Sequence, residues 1–189
     1  MNKVSRFIST EWDKVDCPHV DLDGQPLLRM PDRLGGDTSH PIWIHPLIAS
    51  VFDAVRDKWG SPILVTRGVV CLAYQEVLVN LWDKNREEAI KRGIVARPAE
   101  ISPHCYGVAL DVVPEDTPDL SIVTHTEVAT ACMVLAEAIH EVDPEIRIFT
   151  ARYGFKFVHL DCSFVLSDPL PDGRKKPESW KGGVRDWLV

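Results

Sequence analysis

The feature that most constrains the fold is a strict alternation in two short segments, residues 108–113 and 157–161, because side chains that alternate with a period of two indicate strands. In the first segment, apolar side chains occupy one face and Asp111 lies on the other. In the second, His159 and Asp161 share the face opposite the branched apolar residues. Each predicted strand therefore carries polar groups away from its most apolar face.

A third polar side chain belongs with these two segments. His104 lies seven residues before Asp111, a separation that strict alternation would send to opposite faces. Gly107 between them supplies the turn or bulge that brings the two side chains together, because glycine adopts backbone conformations closed to other residues. If the two strands are neighbours, we expect His104, Asp111 and His159 to converge. Two imidazoles and one carboxylate are the ligand set of an open catalytic zinc site.

Helical periodicity occurs before and between the strand segments. Apolar residues at helical spacing predict one helix over residues 47–59, ending at Gly60, and a second over 72–92, ending at Gly93. A third helix is expected over about 125–142. Its predicted start is a capping box formed by Thr124 and Glu127.

Further short runs of β-forming residues predict the rest of the sheet. Residues 63–66 read as a buried strand, and residues 146–150 and 156–161 as two late strands. Helices early in the chain and hairpin-like strands late predict an α+β domain with a small, mainly antiparallel sheet packed with helices. At 189 residues, the chain predicts one domain, with a core of about 5–165 and a C-terminal tail over 166–189.

Charge and hydropathy exclude several classes of partner. The 21 Lys and Arg against 28 Asp and Glu leave a net charge of −7 with no basic block, which argues against nucleic acid and anionic lipid as partners. No stretch reaches the ~20 apolar residues of a membrane span. The first residues lack the apolar core of a signal peptide, so synthesis in the cytoplasm is expected.

The five cysteines predict reduced thiols, because they form no Cys-x-x-Cys pair and their number is odd. They are Cys17, Cys71, Cys105, Cys132 and Cys162. Cys105 and Cys162, which each adjoin a candidate site residue, are expected to be small packing residues.

The candidate site residues form part of a longer motif, whose members are Ser102, His104, Gly107, Ala109, Asp111, His159 and Asp161. In its spacing this motif resembles the zinc D-Ala-D-Ala carboxypeptidase and murein endopeptidase family, whose fold is shared with the hedgehog signalling domain. The resemblance extends to the segment from Phe7 to Trp12, to Arg56 and Gly60 at the end of the first helix, and to a turn that begins at Thr66. It covers roughly residues 5–165.

The resemblance implies a fold, a cofactor and an activity. His104, Asp111 and His159 would bind Zn²⁺, and Ser102 would hydrogen-bond near the site or to substrate. The substrate would be a peptidoglycan stem peptide or cross-link, in which one amide bond is hydrolysed, either at the terminus or internally. Because the first residues lack a signal peptide, we expect such an enzyme to be a phage or prophage lysis or virion enzyme that is released with the lysate.

Two departures from the family pattern leave roles open. Many relatives place a carboxylate base three residues before the last His ligand, where this chain has Lys156. Asp161, ~6.6 Å along the strand from His159, is either the base or a residue that orients a ligand, and the orienting role is favoured.

The second departure concerns the substrate clamp. The arginine that relatives use to grip a substrate carboxylate is Val70 here, while Arg67 stands three residues earlier. Arg67 is either a substitute clamp or a solvated residue that closes a strand. These departures keep a second function open, a zinc-containing binding module of the same fold without turnover.

Overall fold

The computed structural model describes residues 44–68, 70, 72–92, 94, 96–114 and 125–180. The predictions made for the N-terminal segment, for Cys17 and Cys71, and for the cap at Thr124 lie outside these residues. None of the described helices is long and apolar enough to cross a membrane.

Helix α1 (Pro46–Trp59) begins one residue before its predicted start and ends where its sequence predicts. The ring nitrogen Nδ1 of His45 accepts a hydrogen bond from the Leu47 N–H at 3.2 Å and caps the first turn. Pro46 occupies the first helical position, where its missing N–H costs nothing. Gly60 ends the helix in the left-handed region at φ 76°, and its N–H donates to the Arg56 carbonyl.

The second predicted helix, over 72–92, is wrong in one respect because it is two helices, α2 (Leu72–Lys84) and α3 (Arg86–Lys91). Asn85 separates them with a non-helical backbone, and its side chain accepts a hydrogen bond from the Glu88 N–H at 3.1 Å. Asparagine competes with the helix for backbone partners, so a new N-cap forms here. The third predicted helix is confirmed as α4 (His125–Val142).

Four strands form one antiparallel sheet in the order β1-β2-β4-β3. They are β1 (Ile63–Arg67), β2 (Ala109–Pro114), β3 (Arg147–Phe149) and β4 (Val158–Asp161). The expected α+β class with a small antiparallel sheet is therefore confirmed. The strand predicted at 63–66 is present as β1, but the expectation that it is buried is wrong, because β1 lies at the edge of this sheet and exposes 46% of Leu64.

The apolar face of the sheet forms the core together with the helices. Helix α4 packs on β2, β3 and β4, and α1 packs on α4. The buried residues contributed by the sheet include Ile63, Leu110, Val112, Ile148, Val158 and Leu160, and those from the helices include Ile48, Phe52, Leu135 and Ile139. Burying each such side chain contributes about 1.5–3 kcal/mol, so this layer holds the strands in place.

The other face of the sheet carries two rows of side chains that run across the strands. Strand pairing aligns one row as Arg67, Asp111, His159 and Phe149. It aligns the next row as Ala109, Asp161 and Arg147. The candidate site residues of β2 and β4 therefore lie on one face, as the alternation predicts.

A bulge in β1 decides which of its residues joins the first row. Val65 pairs with Val112, but the next pair is Arg67 with Asp111, so the register shifts at Thr66. Without the extra residue, Thr66 would stand opposite Asp111 and Arg67 would point to the other face. The bulge thus brings a guanidinium beside the candidate site.

Candidate metal centre

The three side chains predicted to converge do so. Asp111 and His159 are directly opposite each other on β2 and β4, and Asp111 Oδ1 lies 2.7 Å from His159 Nδ1. His104 Nε2 lies 3.2 Å from both the Asp111 Oδ1 and the His159 Nδ1 atoms. All three residues are buried, with exposed fractions of 3% for His104 and 5% for each of the other two.

His104 reaches the site from a short 3-10 turn, Pro103–Tyr106, that precedes β2. Gly107 ends this turn at φ 68°, a left-handed conformation, and so supplies the bend that the sequence predicts. His104 Nδ1 lies 2.7 Å from the carbonyl oxygen of Gly68. A carbonyl only accepts, so Nδ1 carries the proton and Nε2 of the neutral ring keeps its lone pair toward the site.

His159 is held from its other side by a carboxylate. Its Nε2 lies 3.1 Å from Asp161 Oδ2, which accepts the ring N–H. This contact orients the ring so that Nδ1 faces Asp111 and His104. A carboxylate that accepts from the distal nitrogen of a histidine is the usual partner of metal-binding imidazoles.

Asp161 is fully buried, and both its oxygens are engaged. Oδ1 accepts from Arg147 Nη1 at 3.0 Å and from the Ser163 backbone N–H at 2.9 Å, while Oδ2 accepts from His159. Arg147 Nη1 also donates to the Ser163 hydroxyl at 2.5 Å. Of the two roles left open for Asp161, this surrounding favours orientation of His159 over proton transfer from water.

The two imidazoles have opposite pKa shifts. Burial lowers the pKa of His104, and the nearby Asp111 charge does not reverse that effect. Burial also disfavours the charged form of His159, but hydrogen bonds to Asp111 and Asp161 outweigh it and raise the pKa to about 9. Burial alone would raise the pKa of Asp111, yet the two histidines hold it well below its usual range.

The chemistry and spacing of this group fit a metal ion. One carboxylate oxygen and two imidazole nitrogens lie within 4.8 Å of one another. Atoms bound at about 2.0–2.2 Å around one tetrahedral ion lie about 3.3 Å apart, which is close to the distances found here. The group could therefore hold a metal ion, with the Asp111 charge offsetting that of the cation.

The other predicted site residues differ in their burial and in their partners. Arg67 is half-buried beside it, donates to Gln75 Oε1 at 3.0 Å, and contributes to lowering the pKa of His104. Ser102 is buried at the N-cap of the 3-10 turn, but its side chain does not cap the turn. Lys156 is exposed.

Aromatic rings line the side of His159 away from Arg67. The Phe149 and Tyr153 ring centroids lie 5.6 and 6.1 Å from that of His159. Tyr153 stacks on Phe157 at 4.6 Å, and both rings are half-buried. The first row of the sheet thus has a cation at one end and aromatic rings at the other.

The C-terminal tail holds the turn that carries His104. Tyr106 donates to Asp172 Oδ2 at 2.8 Å and accepts from Arg174 at 2.6 Å. Trp180 is buried and contacts Tyr106 edge-on at 6.0 Å. The described part of the tail, 166–180, therefore packs on the domain.

The described cysteines agree with the prediction of reduced packing residues. Cys105, Cys132 and Cys162 are fully buried thiols that form no disulfide with one another. Burial raises the pKa of Cys162 to about 12, so its thiol stays protonated. None of the three belongs to the candidate metal group.

Sequence reasoning missed Arg147 and the Gly68 carbonyl, which hold Asp161 and His104. The available signal for Arg147 was a charged residue between apolar neighbours in a predicted strand. A backbone carbonyl leaves no such signal, because any residue carries one.

Comparison with known proteins yields no relative: no family model, no curated protein and no solved structure matches the chain. The family resemblance therefore depends on the motif residues themselves.

Proposed function

We propose that this protein is a zinc-dependent hydrolase that cleaves an amide bond in peptidoglycan peptides, as a carboxypeptidase or an endopeptidase. The observation that carries the proposal is the convergence of His104, Asp111 and His159 on one point, with ligand atoms within 4.8 Å of one another. The donor set and the motif spacing support zinc and the peptidase class. The peptidase fold shared with the hedgehog domain is part of the same proposal.

Each side chain around the centre has a distinct part in the proposed reaction. When bound, zinc supplies Lewis acidity that polarises a carbonyl and acidifies water. His104, Asp111 and His159 hold the ion, and Asp161 keeps the His159 ring in its binding orientation. Arg67, on the β1 side, binds a substrate carboxylate. Hydrolysis adds the water oxygen to the carbonyl carbon, breaks the C–N bond and leaves the proton on the amine.

A second candidate function is a metal-binding module without turnover. Two observations favour it: the group exposes only 3–5% of each residue, and Asp161 has both oxygens engaged. Lys156, where relatives have a carboxylate base, is exposed and cannot accept a proton while charged.

The test is metal content measured beside peptidoglycan digestion on the same samples. Wild type, His104→Ala and the control His140→Ala are purified without added metal and analysed by mass spectrometry for metals. Each is then incubated with peptidoglycan, and the digest is examined for new amine and carboxyl termini. His140, on α4, is not in the metal group, so its loss removes an imidazole without touching the site.

We expect about one zinc ion per chain in wild type and in His140→Ala, none in His104→Ala, and new termini only where zinc is present. The position of the new termini distinguishes terminal from internal cleavage. Zinc without cleavage would favour the binding module. Absence of zinc from all three samples, after incubation with zinc as well, would overturn the proposed site.

A further inference from the structure

We propose that Arg147 is a positioning residue for the metal centre, which acts on His159 through Asp161. The inference rests on the proposed metal site and extends it to a residue that the family motif does not include. Arg147 begins β3, directly opposite Asp161 on β4. It does not reach the three ligand atoms itself.

A chain of hydrogen bonds connects Arg147 to the candidate ligand His159. Arg147 Nη1 donates to Asp161 Oδ1 at 3.0 Å, and Asp161 Oδ2 accepts from His159 Nε2 at 3.1 Å. The Ser163 backbone N–H adds a second donor to Oδ1 at 2.9 Å. With one oxygen held by two donors, the carboxylate has one orientation, and its other oxygen fixes the plane of the imidazole.

A packing contact also connects Arg147 to the neighbourhood of the His159 ring. The Arg147 guanidinium lies over the Phe149 ring, 5.0 Å from its centroid. Phe149 stands opposite His159 in the sheet, with ring centroids 5.6 Å apart. Arg152 makes the same contact with Phe149 at 4.0 Å, so only the polar route through Asp161 is specific to Arg147.

The Arg147–Asp161 ion pair is costly to bury. Arg147 and Asp161 expose 4% and 0% of their surface, and a buried ion pair of this kind gives little net stability compared with apolar residues. The Arg147 Nε also has no hydrogen-bond partner among the described residues. For stability alone, apolar residues at these two positions would do as well or better. Orientation of His159, by contrast, needs a rigid hydrogen-bond donor beside Asp161.

The experiment measures Zn²⁺ affinity by competition with a chromogenic chelator for wild type, Arg147→Met and Arg147→Lys. The matched control is Arg152→Met, because Arg152 also lies over Phe149, at 4.0 Å from its centroid, but is exposed. Thermal unfolding of each metal-free variant is recorded in parallel. Co²⁺ loading gives a second readout, since its visible spectrum reports the arrangement of its ligands.

We expect Arg147→Met to weaken Zn²⁺ binding roughly 10–100-fold and to change the Co²⁺ spectrum, while Arg152→Met leaves both unchanged. Arg147→Lys keeps the charge but replaces the planar guanidinium, whose Nη1 donates to both Asp161 Oδ1 and the Ser163 hydroxyl, with a flexible ammonium group, so a several-fold weakening is expected. If Arg147→Met does not fold, the measurements on Arg147→Lys provide the test.

Two outcomes would overturn the inference. Either unchanged affinity and spectrum in a folded Arg147 variant, or an equal loss in Arg152→Met, would remove the specific role of Arg147 while leaving the metal site intact. A wild-type protein that binds no Zn²⁺ is a different result, because it overturns the proposed function and this inference together.

Discussion

The two histidines of the candidate centre lie in regions built on different principles. His104 lies on a 3-10 turn, and the acceptor of its outer nitrogen is the backbone carbonyl of Gly68. His159 lies on an inner strand of the sheet, and its acceptor is the Asp161 carboxylate. A carbonyl orients a ring without adding a charge, whereas a carboxylate orients it and also stabilises its protonated form.

The two acceptors leave the two rings in different protonation states before any cation binds. His104 has a lowered pKa, so at neutral pH it is a neutral ring with a free lone pair on Nε2. His159 has a pKa raised to about 9, so in the metal-free protein a proton on Nδ1 lies between it and Asp111. A metal ion must displace that proton, and binding is therefore coupled to proton release at His159.

The largest expected effect comes from removing either ring. His104→Ala and His159→Ala should each weaken Zn²⁺ binding by more than ~100-fold, because two remaining ligands do not hold the ion. Equilibrium dialysis followed by metal analysis measures this, with His140→Ala as the control. If one variant kept full zinc occupancy, the two regions would not belong to one site.

The next largest effect is expected at Asp161, the carboxylate that orients His159. Asp161→Asn should weaken Zn²⁺ binding roughly 10–100-fold, because a neutral amide orients the His159 ring less firmly and makes it a poorer donor. The corresponding partner of His104 is the backbone carbonyl of Gly68, which a side-chain substitution does not remove. Isothermal titration at pH 8 measures the loss, and a variant as tight as wild type would contradict the orienting role of Asp161.

The pH dependence of the metal-free protein tests the same comparison without zinc. The raised pKa of His159 contributes stability that is fully present below its ordinary value of 6.5 and is lost as the pH rises through about 9. The lowered pKa of His104 contributes stability that is present above 6.5 and is lost as the pH falls below it. Urea unfolding of chelator-treated protein should therefore show a decline in stability from pH 6.5 to 9.

Matched variants assign that decline to one ring. His159→Gln should remove the decline between pH 6.5 and 9, and His104→Gln should leave it in place. A decline that persists in His159→Gln would show that another group titrates in this range.

The smallest effect is expected beside His104, at Arg67. Arg67→Met should leave zinc content unchanged and raise KM about 10-fold for a peptide with a free C-terminal carboxylate, because one charge-assisted contact is lost. The same peptide with an amidated terminus should not distinguish the variant from wild type. Arg97→Met, which removes an exposed arginine paired with Asp83, serves as the control. Equal KM values for both peptides in wild type would exclude the clamp.

Much of the centre is predictable because it depends on local periodicity. Strand alternation decides the face on which Asp111, His159 and Asp161 lie, and Gly107 predicts the turn that redirects His104. The break at Asn85 and the exposure of Leu64 were not predicted. Asparagine fits both a helix and a cap, and the edge of a sheet depends on which strands pair.

The amino-acid sequence by itself determined the α+β class, the strand faces and the three residues that converge, since each follows from the order of side chains within a few residues. Only the tertiary structure decided the strand order, the bulge at Thr66 that turns Arg67 toward Asp111, and the register that places Arg147 opposite Asp161. The two groups of features differ in the sequence separation of the residues that set them. Faces and turns are set by neighbouring backbone dihedrals, whereas register is set by packing between segments that are distant in the chain.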